Sequence, residues 1–66
     1  MTNIDFYDFQ HMVDAAINAG KESLSFQIYG YNNQWVCDMV DKLCAEEPYY
    51  MDKIDDVSGA EINFKE

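Results

Sequence analysis

His11, Cys37 and Cys44 are the side chains in this chain best suited to act as general base, nucleophile or soft metal ligand, and they stand among thirteen carboxylates. On a helix, His11 has Tyr7 and Asp8 behind it and Asp14 and Ala15 ahead, the setting of a solvated imidazole beside a carboxylate. No Ser, Cys or Lys nucleophile lies in a recognisable motif around it, so no catalytic role is expected of it. Cys37 and Cys44 fall on or near one apolar helical stripe, with no basic neighbour to stabilise a thiolate. Seven residues of helix separate them by roughly 10 Å, beyond the reach of a disulfide. They read as small buried hydrophobes in a reducing compartment.

Metal chemistry fails on ligand number and spacing. Zinc takes four N or S ligands, and one His with two Cys two helical turns apart does not supply them from one protomer. The acidic stretch from Asp52 to Gly59 invites comparison with a calcium loop. Counted from Asp52, the third position is Ile54 and the sixth, where the sharp turn needs Gly, is Val57. Counted from Asp55, the third is Val57 and Gly59 comes one position early. No cofactor, metal or catalytic residue is therefore expected.

What remains is charge and aromatic surface. Thirteen Asp and Glu against four Lys, with no Arg, give a formal charge of -9 over 66 residues. Such a field repels phosphate backbones and anionic lipid, and the arginine fork that grips phosphate or reads guanine is missing. Direct nucleic-acid and membrane binding are thereby excluded, and the expected partner is a basic protein. The acids are dispersed, with pairs such as Asp5 and Asp8 or Asp38 and Asp41 on one side of their helices. Solubility alone would account for most of this charge, although -9 lies just beyond the usual range for a small domain.

The core takes Phe6, Phe9, Phe26 and Phe64. That leaves Tyr7, Tyr29, Tyr31, Tyr49, Tyr50 and Trp35, more aromatic area than so small an interior should hold. Tyr and Trp often cap a core edge with the polar tip in water, and they also anchor protein interfaces. The residues expected to meet a partner are Asp38, Asp41 and Glu46, which lie off the apolar stripe of their helix, together with Tyr29, Tyr31, Tyr49 and Tyr50.

The elements that would carry these residues are legible from spacing. Phe6, Phe9, Val13, Ala16 and Ile17 trace one face of a helix over residues 6 to 19, with Asp5 as N-cap, Ile4 packing on Phe9 and Gly20 as the stop. Leu24, Phe26 and Ile28 alternate with Ser25, Gln27 and Tyr29, the two-residue period of a strand that Gly30 ends. Asn32 and Asn33 offer caps for a second helix, Gln34 to Glu47, whose stripe is Val36, Met39, Val40, Leu43 and Cys44, and Pro48 closes it. Tyr50, Met51, Ile54 and Val57 fit a short helix or helical turn across residues 49 to 57. Ser58-Gly59 is a turn, and Ala60, Ile62 and Phe64 then alternate with Glu61, Asn63 and Lys65 as a last strand.

The order α-β-α-(α)-β predicts a small single α+β domain spanning residues 1–66, with two helices on one face of a two- or three-stranded sheet. Ser25, Gln27, Tyr29, Glu61, Asn63 and Lys65 would occupy the other face. Spacing leaves strand direction open, since the connection could be a parallel crossover or an antiparallel return. Met1-Thr2-Asn3-Ile4-Asp5 has no basic or apolar leader character, which predicts a soluble cytosolic protein.

The function expected is stoichiometric binding by a small acidic module that masks or inhibits a basic, nucleic-acid-processing protein. In composition the chain is similar to small virus- or mobile-element-encoded inhibitors that imitate the charge of DNA, with no shared motif. The alternative from another class is an assembly protein, a homodimer formed through tyrosines and an open sheet edge. A monomer or weak homodimer is expected.

Overall fold

A computed structural model describes residues 3–65; the reading of Met1 and Thr2 as part of a leaderless start lies outside them. Helix α1 spans Phe6–Asn18, strand β1 Ser23–Ser25, a 3-10 turn Gln27–Tyr29, helix α2 Asn33–Glu46, helix α3 Tyr49–Lys53, and strands β2 and β3 Ile54–Ser58 and Glu61–Phe64. The fold is α+β: the described residues form three α-helices and a three-stranded antiparallel sheet in the order β1-β3-β2. The direction that spacing left open is thus antiparallel throughout.

Local chemistry explains the helix ends. The Asp5 carboxylate accepts from the Asp8 amide at 2.8 Å, and Asn32 Oδ1 accepts from the Trp35 amide at 2.9 Å, each satisfying a donor that the first helical turn leaves open. At the far end of α1, Gly20 adopts a left-handed φ of 71°. The Gly20 and Lys21 amides donate back to the carbonyls of Ile17 and Ala16, both at 3.0 Å, the paired closure that a glycine at this position permits.

β1 is shorter than the alternation predicts. β3 begins at Glu61, opposite Ser25, so beyond one further bond, Phe26 N–H to the Ala60 carbonyl at 2.8 Å, the chain has no strand left to pair with. Ser25 Oγ accepts from the Gln27 amide at 3.3 Å and the backbone folds into the 3-10 turn. Ile28, expected on the core face, is instead 79% exposed. Gln27 and Tyr29 leave the sheet with it.

The second departure is β2. A helix was expected across 49–57, and α3 does occupy Tyr49–Lys53, but Ile54–Ser58 pairs with β3. A bulge between Ile54 and Asp56 inserts Asp55, so Ile54 and Val57 both reach the core at a spacing of three instead of two. The hairpin turns on Gly59 and Ala60, both at positive φ (58° and 60°), as a two-residue loop matched to strand twist requires. Ala60, expected in the last strand, is therefore a buried turn residue, and its amide donates to Asn33 Oδ1 at 3.0 Å, tying the hairpin to the start of α2.

The helices cover one sheet face. Leu24, Ile62 and Val57 form one inward row and Phe64 with Ile54 another, packed against Phe9, Val13, Val36, Val40 and Leu43. Phe9 stacks on Phe26 at 4.9 Å between centroids and meets Trp35 edge-on at 5.7 Å. The opposite face presents Ser23, Asn63 and Asp56 in one row and Ser25, Glu61 and Ser58 in the next. No helix among the described residues is long and apolar enough to cross a membrane.

Candidate interaction surface

Asp38, Asp41 and Glu46 all stand exposed on α2, off the stripe of Val36, Val40 and Leu43 that the core takes. Asp38 is held along the helix surface by Gln34, whose Nε2 donates to its carboxylate at 2.9 Å. Glu46 sits in the last turn of α2, beside a groove where Lys42 faces Phe6 and Tyr7 of α1.

The tyrosines divide. Tyr29 and Tyr49 are on the surface, 42% and 49% exposed, and Tyr7 is more exposed still. Tyr31 is half-buried; its ring stacks on Trp35 at 3.9 Å and its hydroxyl accepts from the Ile4 amide at 2.7 Å. Tyr50, expected at the interface, is a core residue with only 2% of its surface exposed. Pro48 and α3 turn it inward, where its hydroxyl donates to Asp14 at 2.6 Å and accepts from Gln10 Nε2 at 3.2 Å. Burial and the bond to Asp14 push the Tyr50 phenol up to about 12.

Cys37 and Cys44 are half-buried free thiols, less enclosed than their place on the stripe predicts. Cys37 Sγ accepts from Asn33 Nδ2 at 3.7 Å. Burial, with the Asp41 carboxylate nearby, raises the Cys44 pKa. Both displaced groups, Cys44 and Tyr50, are thus held more firmly in their protonated forms, the opposite of what an activated nucleophile needs. His11 is exposed on α1. Among the described residues no group of three or more His, Cys, Asp or Glu is placed to hold a metal ion.

Three of the four cations share one place. Lys21, Lys53 and Lys65, with Glu22 beside them, gather around one depression of about 390 Å³ at the C-terminal end of α1, lined also by Ile17 and Phe64. Lys65 Nζ also donates to the Met51 carbonyl at 3.3 Å, and Lys53 lies 5.5 Å from the Tyr49 ring centroid. Lys42, the fourth, lies 4.4 Å over Phe6. Along α2, Lys42 is thus the one cation among Asp38, Asp41 and Glu46, and on the open sheet face Asp56 and Glu61 stand in rows with Ser and Asn.

One feature escapes sequence reasoning. Ile4, Asp8, His11, Met12 and Tyr29 line a shallow, mainly apolar depression of about 370 Å³ between the start of α1 and the 3-10 turn. A strand through Ile28 would have kept Tyr29 away from α1. Ser25 two residues before Gln27, with Gly30 as a stop, was the local sign of a turn in its place. Comparison with family models, with curated proteins and with solved structures finds no match to this chain.

Proposed function

We propose that this protein is a small acidic binding module that acts stoichiometrically on a basic protein in the cytoplasm, masking or inhibiting a nucleic-acid-processing partner by offering carboxylates where that partner would meet phosphates. The observation that supports it most is the imbalance and placement of charge. Three of the four lysines border one depression with Glu22, leaving Lys42 alone among the acids of α2, so the thirteen carboxylates act as one field at distances near the Debye length of ~10 Å at 0.1 M salt.

The sheet edges weigh against a homodimer through strand addition. β1 has three residues, and β2 is bulged with Asp55 and Asp56 exposed on it. Short, bulged and charged edges resist pairing with a second copy.

Capture from lysate at low salt, followed by association kinetics at two ionic strengths, tests the proposal. A dominant basic protein whose on-rate falls steeply with salt is the expected result. Retention of no basic protein, or an affinity indifferent to salt, would overturn it, and a concentration-dependent dimer that strengthens with salt would favour the assembly reading.

A further inference from the structure

The depression between α1 and the 3-10 turn has a composition that selects one kind of occupant. It is lined by the apolar Ile4 and Met12 and the Tyr29 ring together with Asp8 and His11, and no lysine is among these lining residues. Ile28, next to Tyr29, is the most exposed large apolar side chain among the described residues, and Tyr7, next to Asp8, is 73% exposed. Asp5 lies one helical turn before Asp8 and is itself exposed.

An aliphatic anchor would cover the apolar walls but strip water from Asp8 without pairing it, at a cost. A small anion would face Asp8 and the net charge. A lysine could lie over the ring, as Lys42 does over Phe6, but its compact, strongly hydrated ammonium has no planar fork to stack on the ring and pair with a carboxylate at once. An arginine satisfies every part: its methylene stem lies on Ile4 and the adaptable Met12, its weakly hydrated guanidinium stacks on a tyrosine ring, and its fork pairs with a carboxylate. Arginine is also among the residues that most often anchor interfaces.

We infer that this depression is the socket for an arginine side chain of the basic partner. The inference rests on the proposed function and adds where, and by which residue type, the partner is held. The acids of α2 then act at a distance, while the socket fixes the docked position.

The test needs no partner. Blocked arginine, N-acetyl-arginine amide, is titrated into the isotopically labelled protein, with the neutral isostere N-acetyl-citrulline amide as control. Saturable shifts of the backbone amides of Asp8, His11, Met12 and residues 28–30 are expected with arginine and not with citrulline. Asp8→Asn and Tyr29→Ala should each weaken binding about fivefold, the size of one exposed cation–π or ion-pair contribution. His11→Lys, which sets a permanent cation beside Asp8 while leaving that carboxylate in place, should weaken it likewise. Equal binding of citrulline, shifts spread over Asp38, Asp41 and Asp55 instead, or indifference to both Asp8→Asn and His11→Lys would overturn the socket. The two ideas fail separately: a captured basic protein whose affinity ignores Asp8→Asn removes the socket and leaves the function, whereas a working arginine socket with no basic protein retained from lysate removes the function.

Discussion

The Tyr50 hydroxyl donates to the Asp14 carboxylate at 2.6 Å, joining α1 to α3 across 36 residues of chain. Gln10 Nε2 donates to the Tyr50 hydroxyl oxygen, so one buried ring gathers two side chains of α1 and fixes how the short helix after Pro48 sits against the first. Tyr50→Phe keeps the ring and removes the bond. It should lower stability by about 1–2 kcal/mol, the range for a hydrogen bond to a charged acceptor that water partly reaches, read from the urea midpoint at unchanged slope.

The same bond makes stability sensitive to alkali. The phenol ionises near its ordinary value of 10.0 when unfolded and at about 12 when folded. A folded pKa raised above the unfolded one contributes stability that is complete below pH 10 and is lost as pH rises toward 12. Unfolding free energy measured between pH 9 and 12 should fall more steeply for the wild type than for Tyr50→Phe.

Asn33→Ala removes the acceptor of the Ala60 amide at a residue held at positive φ. It should cost about 1 kcal/mol, and amide exchange should accelerate at residues 58–61 before it does in α1. Protection there as in the wild type would mean that the hairpin holds its turn unaided.

The double change Asp38→Asn with Asp41→Asn should leave stability within about 0.5 kcal/mol, as for ordinary surface positions, or raise it slightly by relieving self-repulsion. Association with the captured partner should slow and lose part of its salt dependence. Stopped-flow rates at two ionic strengths decide whether α2 contributes to steering.

Cys44 should alkylate more slowly in the native protein at pH 8 than after unfolding in urea, because burial and Asp41 keep its thiol protonated. Mass spectrometry of timed iodoacetamide quenches follows it separately from Cys37. Equal rates in the two states would mean that α2 leaves the thiol open.

The helices were legible because their ends are local: Asp5, Asn32 and Gly20 act on backbone groups within a few residues. β2 was not, because the bulge at Asp55 turns a strand spacing into the spacing of a helix. Ile28 was misplaced for a non-local reason, since its strand stops only where its partner does. Exposure of Asp38, Asp41 and Glu46 could be read from the stripe they avoid. Tyr50 could not be told from Tyr49, because what buries it is the distant pair Gln10 and Asp14.

The gathering of Lys21, Lys53 and Lys65 beside Glu22 at one end of α1, opposite Asp5 and Asp8 at the other, gives the molecule an electric axis. Asp8 lies in the first turn of α1 and Lys21 just past its end, with roughly 15 Å of helix between them, and whole side-chain charges over that length outweigh the opposed half-charges of the helix itself. In the field of a cationic surface such a body feels a torque as well as a pull. It turns its lysine end outward before contact, which shortens the rotational search that ordinarily limits how many collisions between two proteins are productive.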